Sequence, residues 1–117
     1  MPLKEPNPKM LRLVHQLKLD GMINDERVAE AMSIVDRGEF IDYNVYQDSP
    51  QLMGYSATIS APHMHAYCLS KLAGKLKPGA KVLDVGCGSG YLCAAFYEMV
   101  KDNLSEGTKV VGIEHVE

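Results

Sequence analysis

The sequence predicts an α/β fold with a doubly wound parallel sheet, and two observations lead to this prediction. An apolar stretch over 81–86 ends in a glycine-rich turn, and a second apolar stretch over 109–114 follows a helical pattern over about 90–102. Two strands joined by a crossover helix form a β-α-β unit, the building block of parallel sheets. We therefore expect an N-terminal helical cap followed by the first β-α-β unit of such a sheet.

The N-terminal segment has the apolar spacing of two helices. Over 8–20, apolar residues recur every three or four positions, and Gly21 is predicted to end this helix. Asn24 is predicted to cap a second helix, which Gly38 stops. The apolar face of this second helix is predicted to consist of Val28, Ala31, Met32 and Val35.

Residues 39–59 show no clean period and contain several turn formers. We predict a long irregular segment there, which in a small domain favours a functional loop. Ser60 is then predicted to cap a third helix that has Pro62 in its first turn and ends at Pro78. The apolar stripe of this third helix is predicted to be Leu69, Leu72 and Leu76.

Two parallel strands with one crossover helix leave sheet edges and one helix face uncovered. We therefore expect the sequence to be the truncated front part of a larger domain. Residues 1–60 are predicted to form the helical cap and a substrate-side loop, and residues 61–117 the start of a Rossmann-like cofactor-binding domain. The full-length form is expected to be a monomer, and this front part alone is expected to self-associate.

The composition restricts the partners of the protein. Hydrophobic residues make up 46% and charged residues 23% of the 117 residues, as in ordinary soluble domains. A net charge of −3, without a Lys/Arg cluster, argues against a nucleic-acid partner. No apolar stretch approaches the ~20 residues of a membrane span, so no membrane association is expected. The three cysteines lie in apolar or glycine-loop contexts and predict reduced thiols in a cytoplasmic protein.

The glycine-rich turn has the pattern G-x-G-x-G, formed by Gly86, Gly88 and Gly90. In the dinucleotide fingerprint the third glycine would fall at position 91, which is Tyr91, and no Gly-Lys-Ser/Thr follows. The turn is therefore neither a dinucleotide fingerprint nor a phosphate-binding P-loop. Glycines at this spacing do allow the backbone to approach a ligand closely.

Two carboxylates follow neighbouring strands at the edge where open α/β sheets bind ligands. Asp84 precedes the glycine turn, where it would repel a pyrophosphate and attract a sulfonium or ammonium cation. Glu114, after the second strand, can accept hydrogen bonds from ribose hydroxyls. S-adenosylmethionine is a ribose-bearing cation without phosphates. The pattern therefore favours S-adenosylmethionine over a plain strand-to-helix turn.

The segment 54–66, with the sequence GYSATISAPHMHA, resembles the signature of the protein-L-isoaspartate (D-aspartate) O-methyltransferases. Segments 36–40 (DRGEF), 46–50 (YQDSP) and 112–115 (GIEH) are similar to the eukaryotic members of that family. The resemblance extends from about residue 10 to the end of the sequence. Segment 59–65 (ISAPHMH) is far more specific than the glycine turn, which many methyltransferases share.

The resemblance implies a protein repair enzyme. The family transfers the methyl group of S-adenosylmethionine to the free α-carboxylate of L-isoaspartyl and D-aspartyl residues in damaged proteins, leaving S-adenosylhomocysteine. The ester then closes to a succinimide, whose hydrolysis restores some normal linkages. By the same resemblance, Ser60 is the active-site serine. Positions that line the cofactor or substrate site are Ala57, Thr58, Ile59, Ser60 and His65, and those of the cofactor loop are Asp84, Gly86, Ser89 and Glu114.

The residues themselves are compatible with this chemistry. A peptide α-carboxylate has a pKa of about 3.3–3.7 and is ionised at neutral pH, so it needs no general base. The transferred methyl group is activated by its sulfonium, so no metal is required. The protein has to align the reacting atoms and exclude water. A hydroxyl such as that of Ser60 suits the alignment of a carboxylate, and its alternative role is that of a helix cap.

Other interpretations remain open on the sequence. His63 and His65 are two apart, which on a helix points them in different directions, so a packed histidine is favoured over a metal ligand. Tyr43, Tyr46 and Tyr55 could line a substrate groove or cover a core edge. The alternative functions are a methyltransferase for another carboxylate and a non-catalytic interaction module on the same scaffold. The combination of Ser60 with the two carboxylates favours the enzyme.

Overall fold

The computed structural model describes residues 5–54, 57–101 and 108–114, which fold into helices and two small sheets. The helices are α1 (Pro8–Leu19), α2 (Glu26–Ile34), α3 (Pro62–Leu72) and α4 (Tyr91–Val100), with a 3-10 turn at Arg37–Glu39. The strands are β1 (Gln51–Gly54), β2 (Ala57–Ile59), β3 (Lys81–Val85) and β4 (Lys109–Ile113). The α/β prediction is confirmed.

Strands β3 and β4 pair in parallel and are joined through α4, as the β-α-β pattern predicts. In their register, Asp84 lies opposite Gly112. Val82 and Val110 pack on the core, whereas the opposite face of this sheet is open. The exposed fractions of the four aliphatic residues on the open face are 61% for Leu83, 74% for Val85, 41% for Val111 and 53% for Ile113.

The core lies between the helices, with α2 in contact with α1, α3 and α4. Met10, Met32, Leu69 and Val100 are among its fully buried side chains. Arg27 of α2 connects the carboxyl ends of α3 and α4, because its guanidinium donates to three backbone carbonyls there. These carbonyls belong to Ala73, Leu76 and Met99.

Helix α1 begins and ends where the sequence predicts. The side chain of Asn7 accepts a hydrogen bond from the Lys9 amide at 2.8 Å, and Pro8 occupies the first turn. Gly21 follows the helix with a φ of +77°, a left-handed conformation that favours glycine.

Helix α2 differs from its prediction at both ends. Asp25, not Asn24, is the cap, since its side chain accepts from the Arg27 amide, while the Asn24 side chain donates to the Gly21 carbonyl. The helix ends at Ile34 and not at Gly38. Asp36 causes the early end, because its carboxylate accepts from the Gly38 amide and caps the separate 3-10 turn.

The segment 39–59 is less irregular than the sequence predicts, since it contains the antiparallel pair β1 and β2. Gln51 lies opposite Ile59, and the register shifts between Leu52 and Gly54. Strands of four and three residues with a shift in register are too short to give a clear alternation in sequence.

Helix α3 is capped by a residue distant in sequence. Ala61 is its N-cap and provides no side-chain hydrogen bond, so the prediction that Ser60 caps this helix is wrong. Asp48 accepts from the His63 amide at 2.8 Å instead. The helix ends at Leu72, which is 43% exposed, before the predicted end at Pro78.

Candidate functional site

A cleft of about 100 Å³ lies at the carboxyl ends of β2 and β3 and collects most of the predicted site residues. Its lining residues are Thr58, Ile59, Ser60 and His65 from one part of the chain, and Asp84, Gly86, Cys87, Gly88, Ser89 and Leu92 from the other. A larger cavity of about 530 Å³ lies between α1 and α2, but none of the predicted site residues lines it. The smaller cleft is therefore the candidate site.

The glycine turn forms one wall of the cleft through left-handed backbone. The φ angles of Gly86, Gly88 and Gly90 are +77°, +57° and +85°, values that residues with a Cβ rarely adopt. The amides of Gly86 and Cys87 both donate to the Ile113 carbonyl, at 2.7 and 3.0 Å. The turn is thus held against the end of β4, and the wall presents little side-chain bulk.

The two predicted carboxylates lie at the same edge of the sheet, as expected for neighbouring parallel strands. Asp84 of β3 is half-buried and lines the cleft. Glu114 directly follows β4, and its Oε2 accepts a hydrogen bond of 2.5 Å from the Gly88 amide. Asp84 therefore lies beneath the glycine turn, and Glu114 contacts the turn itself.

Two cysteines pack against this pair of strands at Gly112. A Cβ placed on Gly112 would lie 2.7 Å from Cys93 Sγ and 2.8 Å from Cys87 Sγ, so β4 approaches both sulfurs as closely as a glycine permits. Burial, with the charge of Asp84, raises the pKa of the Cys93 thiol to about 11. The protonated thiol can donate to Asp84 Oδ2 at 3.8 Å. Among the described residues, no group of three or more His, Cys, Asp or Glu side chains could hold a metal ion.

His65 is packed into the body of the protein, as its position on the Leu69 face of the helix predicts. It is 5% exposed, and its ring stacks on Tyr91 with centroids 4.6 Å apart. Burial, reinforced by the nearby charge of Arg37, lowers the pKa of His65 to about 4, so the imidazole is neutral at pH 7. Its Nδ1 is buried and lacks a hydrogen-bond partner within the described part of the chain. Since the side chain lines the cleft, this atom is suited to a polar ligand atom.

Ser60 is exposed on the rim of the cleft, and its backbone is held by a buried arginine. Its carbonyl accepts a hydrogen bond of 2.8 Å from Arg37 Nη1. Arg37 Nη2 donates to the Ser49 carbonyl at 3.2 Å, and the Arg37 side chain is only 1% exposed. Burial lowers the pKa of this guanidinium from its ordinary value.

The remaining predicted residues lie near the cleft or outside the described part. Ala57 belongs to β2, where it pairs with Gly54. The Ser89 hydroxyl accepts from the Tyr91 amide at 3.1 Å. Tyr43 is 75% exposed, Tyr46 donates to Asp36 at 2.8 Å, and Tyr55 lies outside the described residues.

The sequence reasoning missed three residues that shape the site: Arg37, Asp48 and Leu92. Arg37 and Asp48 occur in the segments that resemble the family, and this was their only signal, because each acts on a residue more than ten positions away. Leu92 belongs to the helical pattern after the glycine turn and reaches the cleft through its place in the first turn of α4.

The chain is similar to known proteins in both sequence and fold. A sequence model of the family protein-L-isoaspartate(D-aspartate) O-methyltransferase matches residues 9–117. A protein-L-isoaspartate O-methyltransferase of Triticum aestivum is 51% identical over 106 residues, which are 89% of this chain and 44% of that protein. One of Caenorhabditis elegans is 49% identical over 104 residues and is covered to the same extents. The chain thus spans less than half the length of these relatives.

Solved structures agree with this relationship. A Plasmodium falciparum protein described as a protein-L-isoaspartate O-methyltransferase, in complex with S-adenosyl-L-homocysteine, superimposes with a TM-score of 0.89 at 39% identity. The match covers 95% of this chain and 51% of that one. With the family model matched from residue 9 onward and the predicted site residues gathered around one cleft, the chain belongs to the protein-L-isoaspartate(D-aspartate) O-methyltransferase family.

Proposed function

We propose that this protein transfers the methyl group of S-adenosylmethionine to the free α-carboxylate of L-isoaspartyl and D-aspartyl residues in damaged proteins and peptides. The observation that carries the proposal is the cleft in which Ser60 and His65 face Asp84 and the glycine turn, in a member of this family. The same juxtaposition favours a catalytic role over that of a non-catalytic module.

The residues of the cleft fit the cofactor. Asp84 provides negative charge for a sulfonium-bearing ligand, and Glu114 provides acceptors for ribose hydroxyls. The buried Nδ1 of His65 lacks a partner among the described residues and suits a polar atom of the ligand. Left-handed glycines leave the wall free of Cβ atoms where the ligand approaches. The residues assigned to cofactor binding are Ala57, Thr58, Ile59, Ser60, His65, Asp84, Gly86, Ser89 and Glu114.

The cofactor supplies an activated methyl group when it is bound, so the protein has to position the acceptor. Ser60 is exposed at the rim, and its helix is capped by Asp48, so its hydroxyl is not needed as a cap. We assign this hydroxyl to donating a hydrogen bond to the substrate carboxylate. His65 is neutral at pH 7 and therefore adds no positive charge that would hold the carboxylate in its ionised ground state.

The proposal is tested with a pair of peptides that differ only in one linkage. The complete gene product should transfer a radiolabelled methyl group to the isoaspartyl peptide at least about a hundredfold faster than to its normal aspartyl twin, because only the former presents the free α-carboxylate. Equal rates on both peptides would indicate a methyltransferase for another carboxylate. No transfer to either peptide, with cofactor bound, would favour the non-catalytic module.

Ser60→Ala separates carboxylate alignment from cofactor binding. Turnover on the isoaspartyl peptide should fall about tenfold or more, because one aligning hydrogen bond to a charged group is lost, while cofactor affinity stays within about threefold. Ser33→Ala is the control and should leave turnover and cofactor affinity unchanged, since it removes a hydroxyl of α2 that does not line the cleft. Unchanged turnover in Ser60→Ala would contradict the assignment.

The proposal extends to location and assembly. We propose a cytoplasmic protein whose full-length form is a monomer. The three free cysteines, Cys68, Cys87 and Cys93, support a reducing compartment. Among the described residues, no helix has the length and apolar character needed to cross a membrane. Cell fractionation tests the location, and mass measurement in solution tests the assembly state.

A further inference from the structure

Arg37 is a buried cation placed directly beneath the candidate site. Its side chain is 1% exposed, and it donates to the backbone carbonyls of Ser49 and Ser60, which are eleven positions apart in sequence. Nε is buried without a partner in the described part of the chain. A buried arginine with only two hydrogen bonds to carbonyls is costly, because its charge has been removed from water. Such an energetic cost indicates that the side chain has a role beyond packing.

The two carbonyls belong to the segments that meet at the rim of the cleft. Ser60 carries the hydroxyl assigned to the substrate carboxylate. Ser49 follows Asp48, whose carboxylate accepts from the His63 amide and lies 2.8 Å from His63 Nδ1. Two contacts therefore hold the loop at 48–49 to the segment at 60–63, one through Arg37 and one through Asp48.

The placement of the charge is also suited to the reaction. When a carboxylate attacks a cationic methyl donor, both charges decrease in the transition state. A guanidinium in direct contact with the carboxylate would stabilise the ionised ground state more than the transition state. Arg37 uses two of its donors on carbonyls, and within the described residues it forms no ion pair with a carboxylate. Its effect on the substrate carboxylate is consequently one of geometry, while its charge helps to keep His65 neutral.

We propose that Arg37 is a positioning residue, which clamps the carbonyls of Ser49 and Ser60 together and so holds the Ser60 hydroxyl in place for the substrate carboxylate. The proposal rests on the proposed methyl transfer. Arg37 does not contact the reacting atoms. Its planar guanidinium can serve both carbonyls, whereas the ammonium group of a lysine is a point charge on a flexible stem and cannot reproduce the fork.

Arg27 offers a matched control within the same chain. It also donates to backbone carbonyls, those of Ala73, Leu76 and Met99, at the far ends of α3 and α4. None of these residues lines the candidate cleft. Arg27→Lys and Arg37→Lys therefore remove the same kind of interaction, from the scaffold in one case and from beneath the site in the other.

The test compares the two variants in the complete gene product. We expect Arg37→Lys to lower kcat on the isoaspartyl peptide about tenfold to a hundredfold, because small displacements of an aligning group cost that much. Its cofactor dissociation constant should stay within about threefold of the parent value. Both variants should lower the melting temperature by similar amounts. Arg27→Lys should nevertheless keep kcat within about twofold of the parent value.

Amide hydrogen exchange gives a second readout that needs no substrate. Gln51 and Ile59 lie opposite each other in the β1–β2 pair, beside the two clamped carbonyls. Their amides should exchange faster in Arg37→Lys than in Arg27→Lys. Equal exchange in the two variants would overturn the clamp.

Three kinetic outcomes complete the test. A kcat of Arg37→Lys equal to that of the parent would overturn the proposal. An equal loss of kcat in Arg27→Lys and Arg37→Lys, at equal loss of melting temperature, would overturn it as well. A parallel loss of kcat and cofactor affinity in Arg37→Lys would also overturn it, by showing a general disturbance. If the parent protein methylates neither peptide, the proposed function fails, and the exchange measurement still decides whether the clamp exists.

Discussion

His65 is a buried imidazole that links the stability of the protein to pH. Burial lowers its pKa to about 4 in the folded chain, whereas an unfolded histidine has a pKa of about 6.5. Between these values the unfolded state binds a proton that the folded state does not. The free energy of unfolding therefore falls as the pH decreases through this window, and the loss from this one group reaches about 3 kcal/mol at pH 4.

The contribution of His65 can be isolated with one variant. His65→Phe keeps a ring for stacking on Tyr91 but cannot titrate, so its stability should fall less steeply than that of the parent between pH 6.5 and pH 4. Urea unfolding at a series of pH values measures the difference, with the exposed His15→Gln as control. Parallel curves for the parent and His65→Phe would show that this imidazole does not contribute.

Glu114 has one observed contact and one proposed role, and substitution can separate them. Its carboxylate accepts from the Gly88 amide, and we assign it to accept from the ribose hydroxyls as well. Glu114→Gln retains an oxygen for Gly88 but loses the charge, and should weaken S-adenosylmethionine binding about tenfold. Glu114→Ala loses both and should weaken binding further. Calorimetry that finds equal affinity in the parent and both variants would reject the ribose assignment.

At the scale of elements, α3 depends on a cap that comes from another part of the chain. Asp48 accepts from the His63 amide in the first turn of this helix, which has no side-chain cap of its own. Asp48→Ala should lower the free energy of unfolding by about 1–2 kcal/mol, the usual value of an N-terminal cap. Asp48→Asn keeps an acceptor and should lose less than half of that. Urea unfolding measures the free energies of both variants. Equal losses in Asp48→Ala and Asp48→Asn would show that the charge of Asp48, and not its hydrogen bond, stabilises the helix.

Elements whose signals are local in sequence could be predicted. Helix α1 carries its own cap and its own terminal glycine, and the β-α-β unit is marked by apolar stretches around three left-handed glycines. Its parallel pairing then brought Asp84 and Glu114 to one edge, where the sequence placed them. Seven of the nine predicted site residues line one cleft, and most of them were predicted from the resemblance to the family rather than from local signals.

Elements that depend on distant contacts could not be predicted. The cap of α3 spans 15 positions, and the clamp from Arg37 to Ser60 spans 23. Neither leaves a periodic pattern, because the partners approach only after the chain has folded. Asp36 ended α2 early by competing for amides beyond Ile34, and the apolar spacing that continues to Val35 gave no sign of that competition.

At the scale of the whole molecule, the β3–β4 sheet has one covered and one open face. Leu83 and Val85 are 61% and 74% exposed on the open face. We expect the 117-residue chain to self-associate through this surface, since contiguous aliphatic patches favour burial. Leu83→Thr with Val85→Thr should weaken the association about tenfold or more, because each buried aliphatic side chain contributes about 1.5–3 kcal/mol.

Sedimentation over a range of concentrations measures this association. The control replaces two other exposed apolar residues, Leu19→Ser with Tyr43→Ser, which are 67% and 75% exposed and lie outside the sheet. The control should associate like the parent chain. A parent chain that stays monomeric at every concentration, or a control that weakens association equally, would contradict the prediction.

Gly112 also has a consequence for how accurately the chain folds. Parallel strands can pair in several alignments, and a slip of one residue would turn every side chain of β4 to the other face. A slip by one would bring Val111 or Ile113 beside the sulfurs of Cys87 and Cys93, where even a methyl carbon would lie within 2.8 Å. A slip by two would bring Val110 or Glu114 to the same space. These close contacts disfavour the shifted alignments, and the observed alignment brings the carboxylate of Glu114 to the Gly88 amide.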